Sequence, residues 1–265
     1  MGKEAKKKEK VQELVRRWEA FLEKIEQRFN DSLDQVEEAL VSQLLESDYD
    51  YNTCISSMGS MLAQIRELLK KIDKTWDKEV RDQIEELDDD IVIDLDKKNS
   101  KFEDKLYYKI EPFQRKVEAK LSQLFYDHAV ATANKDYHCS QCNAPIDIEK
   151  DLFRAQYVNC KFCGTANTFE PDIKFKTIGW NIIENIEAYN LEEEYRKMMK
   201  LEDKISDHRP PPPADLVERY REAYFDYYSK LYAACKKRNP MQKDFYDNAM
   251  KNRTSDFEMD IKRYS

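Results

Sequence analysis

The stretch VQELVRRWEAFLEKIEQRFNDSLDQVEEALVSQL, Val11 to Leu44, decides the fold. Its apolar residues are Val11, Leu14, Trp18, Leu22, Ile25, Phe29, Leu33, Val36, Leu40 and Leu44. They recur at steps of three and four that average to an eleven-residue repeat, which keeps them on one side of a nearly straight helix. At a rise of about 1.5 Å per residue, a helix from Ala5 to Ser47 would reach roughly 64 Å. A helix that long needs partners along its stripe.

The sequence supplies them. Asp48 to Asn52 reads as a turn, with Asn52 placed to cap a second helix. Its stripe holds Ile55, Met58, Leu62, Ile65, Leu69, Ile72, Trp76, Val80 and Ile84. Ser100-Lys101-Phe102-Glu103 has the form of a capping box opening a third helix. Its face carries Phe102, Leu106, Ile110, Phe113, Val117, Leu121 and Leu124. Pro112 falls within it and is expected to kink or split it. The expectation for residues 1–133 is an antiparallel three-helix bundle or long coiled-coil hairpin, in a mainly α chain.

Two segments stand out. Asp88 to Asp96 is acidic and reads as a solvated loop, with a short strand or frayed helix end as structural alternatives. Its functional reading is an acidic tip entering a basic partner. Tyr51 to Ile65 is uncharged in a chain that is 37% charged, and it contains Gly59 and several serines. It suits either a closely packed bundle centre or a face for a partner or for self-association.

Composition narrows the function. The chain has 265 residues, only 4 glycines and a formal charge of −8. Few glycines and many Lys, Glu, Leu and Gln favour long helices. The acidic balance disfavours a general grip on nucleic acid, while leaving a local basic face open. No apolar run reaches the length of a membrane span. Met1-Gly2 is followed by Lys6 where an acylation signal needs Ser or Thr.

The chemistry-bearing motif is Cys139-Ser-Gln-Cys142 and Cys160-Lys-Phe-Cys163, two pairs separated by seventeen residues. That spacing predicts one structural zinc ion on Cys139, Cys142, Cys160 and Cys163. Asn143 and Gly164 follow the two pairs, and both tolerate the left-handed backbone that aims N–H groups at thiolates. A redox pair would sit in a βαβ setting, which neither knuckle has. Disulfides suit a secreted chain, whereas reduced thiols holding zinc suit the cytoplasm. Four thiolates close the coordination shell, so a catalytic metal is disfavoured. His138 reads as a surface residue, and Cys54 and Cys235 as small core hydrophobes. Gln156-Tyr157-Val158 and Asn167-Thr168-Phe169 have strand character around the second knuckle, making 134–175 a small metal-organised module.

The knuckles, Cys139-Ser-Gln-Cys142-Asn143-Ala144-Pro145 and Cys160-Lys-Phe-Cys163-Gly164-Thr165, resemble those of the zinc-ribbon group. That resemblance implies a ribbon fold and no single function. The layout is also similar to the DnaK-suppressor-type transcription regulators, which place a helical hairpin with an acidic tip before a four-cysteine finger. This chain departs from them in its longer helices, its second knuckle ending in Gly164 and its large C-terminal region.

Residues 176–265 read as helices: Ile178 to Ser206, Asp215 to Lys237, and a last one opened by Asn239-Pro240. Pro210 to Pro213 reads as an extended polyproline II spacer setting the next helix apart. Tyr220, Tyr224, Tyr227, Tyr228, Tyr232 and Tyr246 suit an aromatic core or an exposed tyrosine-rich interface.

No nucleophile–base constellation or phosphate-binding glycine loop is present, and the chain has three histidines. The expectation is a non-enzymatic scaffold or adaptor acting through protein partners. The alternatives are a transcription- or nucleic-acid-linked regulator using the ribbon and the acidic tip, and a thiol redox switch. Lys135, Arg154, Lys161 and Lys174 would supply the regulator's basic face, with Asp136, Asp147, Asp151 and Asp172 set among them.

Overall fold

The computed structural model describes residues 3–85, 89–148 and 154–264. The chain is mainly α, with one two-stranded sheet beside the cysteines. It divides into two compact units, Met1–Val117 and Glu118–Ser265.

The first unit is a three-helix bundle. Helix α1 (Lys3–Glu46) turns sharply through Asp48 and Tyr49, both with positive φ, into α2 (Tyr51–Trp76). A π-helical turn (Asp77–Arg81) and a short α3 (Asp82–Glu85) prolong α2. Helix α4 (Asp89–Asp136) begins in this unit and continues into the second. Polar contacts of its lysines fix its direction. Lys105–Glu26, Lys109–Asn30 and Lys116–Glu37 are all separated by 79 residues, so α4 runs parallel to α1. By contrast, Gln43 bonds Ser57 at 3.0 Å while Trp18 meets Trp76 at 5.4 Å, so α2 runs antiparallel to α1. The stripes meet at the centre: Phe29, Leu40, Leu69, Ile72 and Leu106 have no exposed surface. Each such side chain contributes about 1.5–3 kcal/mol by leaving water.

Several expectations are corrected here. Asp50, not Asn52, caps α2; its carboxylate accepts from Thr53 N at 3.1 Å and Thr53 Oγ1 at 2.7 Å. These bonds hold Asp50 below the usual carboxylate range. The Ser100 capping box opens nothing, because α4 is already under way; Ser100 Oγ donates back to Asp96 O at 3.1 Å. Asp89 to Asp96 is therefore helical rather than a loop or strand, with Val92 and Leu95 buried. Asp88 lies outside the described residues. Pro112 does not split α4. Gly59 sits exposed on α2 with open space around it, so among the described residues no other backbone of the chain packs against it.

The second unit joins the end of α4 to the sheet and four further helices. Strands β1 (Gln156–Asn159) and β2 (Ala166–Phe169) pair antiparallel, with Tyr157 opposite Thr168. Helix α5 (Ile173–Asn190) brings Phe175 against Phe125 of α4, rings 5.2 Å apart and edge-on. The single helix expected over 178–206 is two. Leu191, with φ −110° and ψ 29°, breaks it before α6 (Glu192–Ser206). Helix α7 (Ala214–Arg238) then folds back along α6: Lys230 pairs with Glu194, and Tyr227 meets Tyr195. The proline run is thus a reversal between packed helices, not a spacer holding them apart, and its Pro210–Pro211 bond is cis. After a 3₁₀ turn (Pro240–Gln242), α8 (Lys243–Arg263) starts with Gln242, not Asn239, at its N-cap.

The tyrosines fill this core. Tyr220, Tyr224, Tyr227, Tyr232 and Tyr246 are buried, and Tyr220 and Tyr224 contact Phe257 of α8. Arg253 lies 4.1 Å from the centre of the Tyr228 ring and donates from Nε to Tyr232 OH at 3.0 Å. A cation over an aromatic face inside a partly desolvated site is favourable by about 1–2 kcal/mol. Among the described residues, no helix is long and apolar enough to cross a membrane.

Candidate metal centre

Two tight turns built alike carry the cysteines. In the first, Cys139 N donates to Ala144 O at 2.8 Å and Asn143 N to Cys139 O at 2.9 Å. In the second, Cys160 N donates to Thr165 O at 2.9 Å and Gly164 N to Cys160 O at 3.0 Å. Both turns close through a residue of positive φ, 56° at Asn143 and 75° at Gly164, as their residue types anticipate. The β1–β2 hairpin supports the second turn. Below the first, the His138–Pro145 bridge and the Ile146 N to Tyr137 O bond do the same work.

The four Sγ atoms lie within 4.8 Å of one another, with Cys139–Cys163 at 3.5 Å and Cys142–Cys160 at 3.6 Å. A tetrahedral zinc with bonds of about 2.3 Å requires sulfurs roughly 3.8 Å apart, so the cluster matches a single ion. Each pair has one member inside and one outside: Cys139 and Cys160 are buried, Cys142 and Cys163 exposed.

Backbone donors prepare the thiolates. Gln141 N lies 3.5 Å from Cys139 Sγ, and Phe162 N lies 3.4 Å from Cys160 Sγ. The N–H groups of Cys142 and Gln141 bring the Cys139 thiol down to about 6. Thr165, through its side chain and its N–H, lowers Cys163. At Cys142 the Ala144 N–H pulls down, yet the neighbouring sulfurs of Cys163, Cys160 and Cys139 outweigh it and push the thiol up to about 12. The last proton is hard to remove because the negative charge would gather in one small space. A divalent cation removes that obstacle, so binding releases protons.

Asn167 is the residue that sequence reading assigned only to a strand. Its Oδ1 accepts from Ser140 N at 2.8 Å and Ser140 Oγ at 2.9 Å. Its Nδ2 donates to Thr165 O at 2.9 Å and points at Cys139 Sγ, 3.7 Å away. One buried amide therefore ties the two knuckles together. Thr165 adds a second link: its hydroxyl sits 3.3 Å from Cys163 Sγ and donates to Gln141 Oε1. The available signal was position, since Asn167 shares the inward face of β2 with Phe169. Under them, Tyr137 meets Phe169 edge-on at 5.3 Å, and Ile146 and Ile148 are buried.

His138 is exposed and outside the cluster. Cys54 and Cys235 are buried elsewhere, and burial pushes Cys54 up and Cys235 to about 12. Arg154 and Lys161 are exposed with Asp147 and Asp172. Asp151 and the side chains of Lys135, Asp136 and Lys174 lie outside the described residues. The ribbon also exposes two aromatics, Tyr157 at 82% and Phe162 at 76%.

No family model matches this chain, and no curated protein or solved structure does either. The layout similarity to the DnaK-suppressor-type regulators thus has no family match behind it.

Proposed function

We propose that the protein is a non-enzymatic scaffold or adaptor whose ribbon is held by one structural zinc ion and docks a protein partner. The observation that carries this reading is the pairing of a four-thiolate cluster with exposed Tyr157 and Phe162 on the same small module. Four protein ligands fill a tetrahedral shell and leave no position for a substrate or an activated water. Large aromatics at such exposure are the residue types that anchor protein interfaces. Reduced thiols able to hold zinc favour a cytoplasmic setting as part of this proposal.

The test is recovery of the tagged chain from its native cells with and without nuclease, beside a Tyr157→Ser, Phe162→Ser variant that retains zinc. A stoichiometric protein that resists nuclease and is lost with the variant supports the scaffold. Polymerase, or material removed by nuclease, would replace it with the regulator reading.

A further inference from the structure

The antiparallel pair α6–α7 leaves an outer groove of about 510 Å³. Arg196, Lys197, Lys200, Lys204 and Arg219 line it, with Leu201 between them. Two carboxylates, Glu193 and Glu222, share the lining. Arg196, Lys200 and Lys204 are four residues apart along α6, so their stems rise from one face at intervals of about 6 Å. Arg196 is held by Glu192 at 2.9 Å. Lys197, Lys200, Lys204 and Arg219 make no ion pair with any described residue.

The helix dipole alone does not account for this cluster. The helix dipole rewards cations in the last turn, which covers Lys204 but not Lys197, Lys200 or Arg219. The chain as a whole carries −8, so a groove dominated by cations runs against its overall charge. The four cations without an ion pair outnumber the two lining carboxylates, and an anionic occupant offsets that excess.

We infer that the α6–α7 groove binds an acidic segment of a partner protein. Carboxylates one helical turn apart match the 6 Å spacing of the α6 cations. The groove's own chemistry favours a peptide over a nucleic acid. Glu193 and Glu222 would repel a continuous phosphate backbone, but they can accept from peptide N–H or Lys groups. Leu201 is buried beneath the charges, so the contacts the groove offers are those of its charged side chains. This inference takes its partner class from the scaffold reading and uses none of the ribbon residues.

The test uses the zinc-loaded full chain and fluorescence anisotropy with two labelled probes, a short Glu-rich peptide and a single-stranded oligonucleotide of equal charge. The groove variant is Lys200→Glu, Lys204→Glu. The control is Lys24→Glu, Arg28→Glu, the same charge change at the same spacing on exposed positions of α1. All four positions are exposed, so circular dichroism should be unchanged in both variants. Saturable peptide binding that weakens tenfold or more in the groove variant, and much less in the control, is the expected result. Equal weakening in both variants, no saturable binding, or tighter groove-dependent binding of the oligonucleotide would overturn it. A native partner that needs Tyr157 and Phe162 but ignores the groove variant would also overturn it, while leaving the scaffold standing. Groove-dependent peptide binding without any stoichiometric protein partner would instead sink the scaffold and spare the groove.

Discussion

Trp18 on α1 donates from Nε1 to Oδ1 of Asn99 on α4 at 2.7 Å, both side chains buried. The same indole stacks on Phe21 at 5.1 Å and meets Trp76 of α2 at 5.4 Å, so one residue touches all three helices of the bundle. Asn99 is a polar residue in a core position because the indole N–H requires an acceptor there. Asn99→Leu leaves the Trp18 N–H buried without a partner but also removes the unpartnered Asn99 Nδ2, so it should destabilise the bundle by about 1 kcal/mol. Adding Trp18→Phe removes the stranded donor and should recover part of that loss. Urea melts of both single variants and the double variant measure the coupling; strictly additive losses would refute it.

That pair also explains what the sequence concealed. The long stripes of α1 and α2 were legible because nearly every core position is apolar. The start of α4 was not. Its inward positions are Val92, Leu95, Asn99 and Leu106, and one asparagine interrupts the helical period. Beside it, Ile91, Ile93 and Leu95 imitate alternation, and Ser100–Glu103 imitates a helix start. The clustering of Cys139, Cys142, Cys160 and Cys163 was legible, since two paired C-x-x-C turns fix both residue type and spacing. The clamp at Asn167 was not, because an asparagine in a strand announces nothing until its partners Ser140 and Thr165 are in place. The break at Leu191 carries no glycine or proline, so periodicity alone ran straight through it.

Gly164 has φ 75° and open space around its Cα, so a substitution there meets a conformational cost and no clash. Gly164→Ala should cost about 1–2 kcal/mol of ribbon stability. Gly164→Asn should cost less, as Asn143 already occupies the matching position in the other knuckle. Zinc retention against a graded chelator separates the two; equal losses would mean that the backbone conformation is not the determinant.

Replacing Cys160 and Cys163 together by Ser removes half of the candidate ligand set. Zinc content should fall to background while the helical signal in circular dichroism is largely kept, because the three-helix bundle and the α5–α8 helices have apolar cores of their own. General loss of helix would show that the metal organises far more than the ribbon.

Asn167 ties both knuckles together without being one of the four clustered cysteines. Asn167→Ala deletes its bonds to Ser140 and Thr165 and the contact with Cys139, while all four ligands remain. Outer-ring partners of metal ligands are worth roughly 10–100-fold in affinity. The variant should bind one zinc ion per chain more weakly by about that factor, read by competition with a chromophoric chelator. Unchanged affinity would reduce Asn167 to a filler of the β2 inner face.

Asp73 of α2 and Glu103 of α4 face each other across the bundle, and Glu103 Oε1 is buried without a donor. Burial, then Asp73, then Asp104 raise Glu103 from 4.5 to about 7. The folded state therefore holds a proton that the unfolded chain has already released over that interval. Stability from this site is full below the unfolded value and declines as pH rises towards about 7. Because Glu103 is only partly buried, solvent screening limits the effect to on the order of 1 kcal/mol. Glu103→Gln keeps a neutral side chain of the same shape at every pH. It should match the native chain near about pH 5 and melt higher by a few degrees near about pH 8. The difference between the two chains isolates this site, since every other titrating group is common to both. Parallel melting curves across the range would show that Glu103 ionises without penalty and that the facing carboxylates do not share a proton.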